Sequence, residues 1–265
     1  SSSEALLNSD DQLESMIAAI RAGRQLQRMN QPWNFLPESV KMTAIATLQQ
    51  AVSQTQETNR LEGHAEQVNA IIVSPDAQAI ATASNDNLVK LWTAQGQFLK
   101  DLAGHRDRIT SVAFSSGSSL IATASADRTI RIWNRDGKLL QTLTGHTDWV
   151  TDVQFNPKTQ LLASASRDGT IKIWRLGTPV KEAQTLRGHR GWVNRIGFSP
   201  DGQQLVSGGE DGTVRVWKVG NTAAISTKRN SEETATFKAH RDRVTSVVFS
   251  PDGKQLATSG DNVAK

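Results

Sequence analysis

The chain has 265 residues, enough for one large or two modest domains, and its net charge of +4 gives only weak support for a polyanionic partner. The absence of cysteine excludes disulfides, thiolate catalysis and cysteine-bound zinc, and it favours a reducing, cytoplasmic setting. No apolar run approaches the ~20 residues of a transmembrane helix, so no membrane partner is expected. The opening segment SSSEALLNSDDQLESM lacks the basic start and apolar stretch of a secretion signal.

Residues 1–57 predict two amphipathic helices. Ser9 and Gln12 form a capping-box pattern at the start of the first helix. Its apolar face is formed by Leu13, Met16, Ile17 and Ile20. The prolines of NQPWNFLP (30–37) end this helix, and a second one is predicted over 38–56. Because two such helices are marginally stable alone, we expect them to pack on each other, on the rest of this chain or on an upstream domain.

The five histidines mark an internal repeat. Their spacings of 41, 41, 43 and 51 residues are typical of a supersecondary repeat. In the first four copies a serine or threonine follows the histidine by 18 residues, an aspartate by 22 and a tryptophan by 28. These sets are His64, Thr82, Asp86 and Trp92; His105, Thr123, Asp127 and Trp133; His146, Ser164, Asp168 and Trp174; and His189, Ser207, Asp211 and Trp217. The fifth copy, from His240, stops before any tryptophan.

Each repeat predicts four short antiparallel strands. In the third copy, VTDVQF (150–155) alternates apolar and polar residues, and TIKIW (170–174) is rich in β-branched residues. Turn signals such as RDG (167–169) separate the strands. One small sheet cannot bury both of its faces, so neighbouring repeats must stack on each other.

The order Gly-His, S-P-D-G, a Ser/Thr-rich strand and D-G-T-I-K-I-W resembles the WD40-repeat β-propeller over residues 58–265, with repeats from about 62, 103, 144, 187 and 238. The dipeptide that names the family is absent, because the tryptophans are followed by Thr93, Asn134, Arg175 and Lys218. The resemblance implies an all-β propeller with four complete blades and a truncated fifth. Such an arc is expected to be a fragment of a larger ring, typically of seven blades. The alternative is a five-bladed ring closed by TNRLEGH (58–64).

Residues 1–57, which lead into NRLEGH, resemble the connector of large bacterial proteins that join a signal-transducing NTPase domain to a WD-repeat sensor. This resemblance implies that the chain is the sensor part of a regulator, whereas a plain helical spacer is the alternative. No phosphate-binding pattern Gly-x-x-x-x-Gly-Lys-Ser/Thr occurs in the sequence, so no nucleotide is expected by that route.

In the family that the repeats resemble, the histidine, hydroxyl, aspartate and tryptophan form a hydrogen-bonded network inside each blade. A buried carboxylate needs compensating donors, and the imidazole, hydroxyl and indole can supply them. A catalytic role would need a His–Asp pair outside the repeat register, and all five histidines lie within it. We therefore expect no catalytic residue, metal ligand or cofactor.

Three positions in each repeat face the partner in this family: three and five residues after the histidine, and immediately before the aspartate. The partner-binding face is therefore predicted to include Arg108, Trp149, Thr151, Arg167, Trp192, Asn194 and Arg243. Other repeats carry Gln or Arg in place of Trp149 and Trp192, so the fold does not require these indoles, and adjacent blades should bring them side by side. Tryptophan and arginine are typical of binding hot spots. The alternative is that each indole covers a neighbouring loop.

The leading hypothesis is a non-catalytic scaffold, monomeric as a domain, that binds a protein partner. Nucleic-acid binding is the second hypothesis, because arginine and tryptophan on one face could grip phosphates and stack bases. Residues 61–265 carry 25 Lys+Arg against 20 Asp+Glu. This small excess makes nucleic acid the weaker expectation.

Overall fold

The computed structural model of the chain describes residues 60–219, 233–261 and 263–264. The chain divides into two units after Arg60, and the strands described below belong to the second unit, Leu61–Lys265. Both predicted helices of residues 1–57 lie outside the described residues. The described ranges contain strands and turns without a helix, and hence no helix that could cross a membrane.

The strands of the described ranges form five antiparallel sheets. Sheet 1 contains β1 (Val68–Val73), β2 (Ala79–Ser84), β3 (Val89–Thr93) and β4 (Phe98–Leu102). Sheet 2 contains β5 (Ile109–Phe114), β6 (Leu120–Ser125), β7 (Ile130–Asn134) and β8 (Leu139–Leu143). Sheet 3 contains β9 (Val150–Phe155), β10 (Leu161–Ser166), β11 (Thr170–Arg175) and β12 (Lys181–Arg187).

The last two sheets continue the same order along the chain. Sheet 4 contains β13 (Val193–Phe198), β14 (Gln204–Gly209), β15 (Thr213–Lys218) and β16 (Glu233–Lys238). Sheet 5 contains β17 (Ser246–Phe249), β18 (Leu256–Gly260) and β19 (Val263–Ala264). Within every sheet each strand pairs with the next one in sequence, so each repeat folds as an antiparallel meander.

The second strand of each complete sheet is buried on both faces, which explains its small side chains. Every residue of β10, LLASAS, is buried. Ala163 and Ala165 have no exposed surface and pack with Val193 and Ile196 of sheet 4 in one apolar cluster. Alanine at these positions lets the neighbouring sheet approach closely, so a strand that lacks large apolar residues still contributes to the core.

The first strands of the sheets follow one another around a common cavity. β1 contacts β5, β5 contacts β9, β9 contacts β13, and β13 contacts β17. All five first strands line a cavity of about 390 Å³. This is the arrangement of propeller blades around an axis, and it agrees with the all-β propeller that the resemblance implies.

The described sheets form an open arc. Among the described residues β17 and β1 make no contact comparable to those between the other first strands. On β1, Ile71 is 64% exposed, whereas its equivalents Val112 and Val153 are buried by the preceding sheet. The described part of the chain therefore agrees with four complete blades and an incomplete fifth, and it differs from the five-bladed closed ring.

One face of the described sheets carries the loops before each first strand and the turns between each second and third strand, and we call it the loop face. On this face a hydrogen bond joins each complete sheet to the next repeat. The donor is always the side chain five residues after the repeat histidine, and the acceptor is a backbone oxygen of the following repeat, at or just before its first strand. Two bonds are Asn69 Nδ2 to Ile109 O at 2.8 Å and Thr110 Oγ1 to Val150 O at 2.5 Å. The other two are Thr151 Oγ1 to Val193 O at 2.5 Å and Asn194 Nδ2 to Val244 O at 2.9 Å. Short polar side chains at this position therefore link neighbouring sheets.

We expect Thr151→Val to lower the free energy of unfolding by about 1 kcal/mol, because it removes the donor to Val193 O while preserving the shape of the side chain. Urea denaturation followed by tryptophan fluorescence measures this change. Thr151→Ser is the matched control, because it keeps the hydroxyl and should stay close to the wild type. A valine variant as stable as the serine variant would contradict the proposed link.

Candidate partner-binding face

A chain of hydrogen bonds crosses the loop-face end of sheet 3. Trp174 Nε1–H donates to Ser164 Oγ at 2.9 Å. Because an indole can only donate, the Ser164 hydroxyl proton is free for His146 Nε2 at 2.8 Å. His146 Nδ1–H then donates to the carboxylate of Asp168 at 2.8 Å. The His146 and Asp168 side chains are 1% and 8% exposed, so these groups act inside the sheet.

The same chain recurs in the other complete sheets. The His–Asp distances are 2.8 Å for His64 and Asp86, 2.8 Å for His105 and Asp127, and 3.1 Å for His189 and Asp211. The hydroxyls that receive the indoles of Trp92, Trp133 and Trp217 belong to Thr82, Thr123 and Ser207. Burial lowers the pKa of His189 despite the nearby Asp211, and the neutral ring that results can accept the Ser207 hydroxyl.

Sheet 5 departs from this pattern. His240 Nε2 lies 3.0 Å from Thr258 Oγ1, as in the other repeats. Asp261, however, stands 21 residues after His240 instead of 22, and its carboxylate is 3.8 Å from Nδ1. His240 Nδ1 is buried and has no hydrogen-bond partner among the described residues. The chain of four groups is therefore incomplete in the described part of this repeat.

The aspartate of the network also holds two loops together. The Asp168 carboxylate accepts the backbone N–H of Thr147, next to His146, at 3.0 Å. It also accepts the hydroxyl of Thr170, at the start of β11, at 2.6 Å. Burial alone would raise the pKa of Asp168, but the bonds from His146 and Thr170 outweigh burial and lower it. The ionised carboxylate thus fixes the loop before β9 against the turn between β10 and β11.

These two loops carry the first and third predicted partner-binding positions. Arg167 N–H donates to Trp149 O at 2.9 Å, and Glu210 N–H donates to Trp192 O at 2.8 Å. The equivalent bond in sheet 2 joins Ala126 to Arg108 at 3.0 Å. Since the two positions are bonded through their backbones, their side chains emerge next to each other on the loop face.

Four of these side chains stack into one row, which we call the Arg–Trp ladder: Arg108, Trp149, Arg167 and Trp192. Arg108 Cζ lies 4.2 Å from the Trp149 ring centroid. Arg167 Cζ lies 3.7 Å from the Trp149 centroid and 3.9 Å from the Trp192 centroid. The indoles are therefore separated by a guanidinium, whereas the sequence predicted that they lie side by side. The ladder joins sheets 2, 3 and 4 through cation–π contacts.

The ladder lines a depression of about 400 Å³ on the loop face. All seven residues that were predicted for the partner-binding face line it. The full lining is Gln67, Asn69, Asn85, Arg108, Thr110, Trp149, Thr151, Arg167, Trp192, Asn194, Arg195, Glu210, Arg243 and Thr245. It contains four arginines and one glutamate, so the depression is positively charged.

Thr151 and Asn194 differ from the other predicted positions because their side chains make hydrogen bonds between repeats. Each uses its side-chain donor in a bond to the next sheet, as described above. The repeat spacing correctly indicates that they reach the loop face, but it does not reveal a backbone acceptor that lies about forty or fifty residues further along the chain. Their contribution to the depression is a fixed polar wall, while the ladder supplies its aromatic and cationic surface.

Sequence reasoning missed a charged pair beneath the depression. Asp152 is 3% exposed and accepts Ser111 Oγ–H at 2.8 Å and Ile196 N–H at 3.0 Å. Burial raises its pKa even though Arg195 is near. Arg195 Nη1 donates to Thr151 O at 3.1 Å. The sequence contains a signal for this pair. The position six residues after the histidine carries Asp152 and Arg195 in two adjacent repeats and Ala or Ser in the other three.

No group of three or more histidine, cysteine, aspartate or glutamate side chains in the described ranges is placed to hold a metal ion. In sheets 1–4 each repeat histidine instead pairs with one aspartate, as His146 does with Asp168.

The repeats match a known family along most of the chain. Residues 55–93, 96–134, 137–175, 180–218 and 231–265 match the family model described as WD domain, G-beta repeat. The chain belongs to the WD40-repeat family. A stretch of 91 residues is 38% identical to an uncharacterized WD repeat-containing protein of Synechocystis sp.. That match covers 34% of this chain and 8% of the relative, so the chain spans a small part of that protein. WD40 repeats generally form non-catalytic scaffolds for protein interaction.

We expect the WD40 network to make the folded chain less stable as the pH becomes acidic. The pKa values of Asp127 and Asp168 are lowered, and that of Asp211 is lowered to about 2, by hydrogen bonds that outweigh burial. Below the ordinary value of 3.8, the unfolded chain binds more protons than the native one, so stability must fall as the pH falls toward the native pKa values. Urea unfolding between about pH 6 and pH 3 should show this loss.

Asp168→Asn removes one of these carboxylates and should be less stable than the wild type at neutral pH, with a shallower loss toward acid. Asp136→Asn, in the exposed turn between β7 and β8, makes the same change in charge and serves as the control. An Asp168→Asn variant whose stability falls as steeply as that of the control would show that the network does not couple folding to ionisation.

Proposed function

We propose that this chain is a non-catalytic scaffold that binds a protein partner at the depression on its loop face. We also propose that it is the sensing or docking part of a larger bacterial regulator. The observation that carries the first proposal is the convergence of the variable positions. Residues that repeat are engaged in hydrogen bonds inside the sheets, whereas Trp149, Arg167 and Trp192 occupy positions that vary among the repeats and meet in one row.

The ladder has the properties of a binding hot spot. Trp192 is 39% exposed, and Trp149 and Arg167 are half-buried, so the row offers accessible surface with restricted side-chain motion. Hot spots combine tryptophan and arginine in well-packed surroundings, and rigid anchors lose little entropy when a partner binds. A mere covering role for the indoles is less well supported, because Trp192 remains substantially exposed.

The repeat histidines support a structural role. In sheets 1–4 both ring nitrogens of each histidine contact a partner inside the same sheet, as at His146 with Ser164 and Asp168. A general base needs a nitrogen that can reach a substrate. The role in a larger regulator is supported by the resemblance of residues 1–57 to a connector. Coding sequence upstream of Ser1 tests it, since an NTPase domain there would support the role and a different kind of domain would contradict it.

We expect Trp149→Ala combined with Trp192→Ala to weaken partner binding at least ~tenfold, because alanine removes two anchors that are each worth ~2 kcal/mol at a typical hot spot. Quantitative mass spectrometry identifies the partners that the wild-type chain captures. Each partner is then purified, and calorimetry measures its binding to the wild type and to the double variant.

Phe237→Ala is the matched control, because Phe237 is 44% exposed but lies on the outer strand β16, away from the depression. This variant should bind like the wild type. Partners that bind the double variant as tightly as the wild type, or that are lost equally from the control, would exclude the loop face as the docking surface.

A further inference from the structure

We infer that the Arg–Trp ladder selects a partner segment rich in aspartate and glutamate, with a carboxylate bound at the edge of the Arg167 guanidinium. This inference rests on the proposed function, because it specifies the chemistry of the segment that the loop face binds.

The depression carries positive charge that its own residues do not neutralise. Among its four arginines, Arg195 donates to Thr151 O and lies near Asp152. The guanidinium groups of Arg108, Arg167 and Arg243 make no hydrogen bond to a described residue. Arg108 approaches a carboxylate only at 4.0 Å, from its neighbour Asp107. Three arginine side chains are thus available to an anionic ligand.

The way in which Arg167 is held also favours a carboxylate. Its Cζ lies 3.7 Å from the Trp149 ring centroid and 3.9 Å from the Trp192 ring centroid, so two indoles restrict the guanidinium, and a ligand would meet the N–H groups at its edge. Its Nε is buried and lacks an acceptor among the described residues. A planar guanidinium that is already fixed loses little conformational entropy on binding, and its edge matches the two oxygens of a carboxylate.

The electrostatics of the ladder favour the same ligand. Burial lowers the pKa of Arg167, with Arg108 acting in the same direction, while Asp148 and Glu210 only partly offset them. Asp148 already accepts the Trp149 N–H at 2.7 Å, and Glu210 contacts Asn194 Nδ2 at 3.4 Å. A carboxylate from a partner would therefore supply counter-charge that the ladder lacks.

The ladder favours an acidic peptide over a nucleic acid. Base stacking needs a free aromatic face, and the guanidinium groups of Arg108 and Arg167 already lie over the Trp149 ring. Nucleic acid also carries regularly spaced phosphates, which would meet Asp107, Asp148 and Glu210 around the same row. A peptide can place its carboxylates between these residues and its apolar side chains against the open part of Trp192.

The test uses the whole chain and three fluorescein-labelled probes. These are a short peptide in which glutamate alternates with leucine, the same peptide with glutamine in place of glutamate, and a single-stranded oligodeoxynucleotide of equal charge. We expect the glutamate peptide to bind at least ~tenfold more tightly than the glutamine peptide in fluorescence anisotropy, because bidentate Arg–carboxylate bonds are among the strongest in proteins. Its binding should also change the tryptophan emission.

Arg167→Gln should reduce binding of the glutamate peptide at least ~tenfold, and Arg167→Lys should recover only part of it, since lysine restores the charge without the planar fork. Arg187→Gln, on the exposed end of the outer strand β12, makes the same change in charge and should bind like the wild type. Circular dichroism checks the fold of each variant. If Arg167→Gln does not fold, the lysine variant and the comparison of the two peptides decide.

Equal binding of the glutamate and glutamine peptides would overturn the inference, as would unchanged binding by Arg167→Lys and Arg167→Gln. Tighter binding of the oligodeoxynucleotide would overturn it in favour of nucleic acid. A natural partner that needs Trp149 and Trp192 but binds through a neutral or basic segment would overturn the acidic specificity and leave the proposed function intact. A natural partner whose binding does not depend on Trp149 and Trp192 would instead contradict the proposed function.

Discussion

The hydrogen bond between a buried imidazole and a buried carboxylate, 2.8 Å long at His146 and Asp168, is the interaction on which the loop face depends. The Trp174 indole donates to the Ser164 hydroxyl, and that hydroxyl donates to His146 Nε2. The histidine is therefore left with Nδ1–H as its donor toward Asp168. The carboxylate is in turn committed to the backbone and hydroxyl of the two loops that it joins. Neither loop can move independently while this bond holds, so side chains mounted on them keep a fixed geometry.

A division of roles follows from this constraint. Groups that repeat in sheets 1–4 satisfy each other inside the sheet, and positions adjacent to them are free to vary without loss of the fold. Trp149 follows His146 by three residues, and Arg167 immediately precedes Asp168. Trp149 and Arg167 therefore stand on loops that the Asp168 carboxylate and a backbone bond hold together. The links from Thr110 and Thr151 to the next sheets hold the neighbouring parts of the ladder in register.

The sequence was informative wherever an interaction stays within one repeat. Strand order follows from patterning inside a unit of about forty residues, and the resemblance to the WD40 family then implies the network residues and the loop-face location of Trp149 and Trp192. It was uninformative wherever side chains of different sheets meet. The position of Arg167 between two indoles, the link from Thr151 to Val193 O, and the buried Asp152 depend on how neighbouring sheets approach each other, which no periodicity within one repeat encodes.

The proposed binding at the ladder would be coupled to the stability of the fold. Arg108 and Arg167 both lie over the Trp149 ring, so two like charges are held close together in a partly desolvated row. Cation–π attraction and the fixed loops offset this repulsion, but they do not neutralise the charge. An anionic group that binds only the native ladder would relieve the repulsion and stabilise the folded chain in proportion to its affinity. Under the proposal of an acidic partner, the positive charge that repels itself in the free ladder is the same feature that would provide specificity.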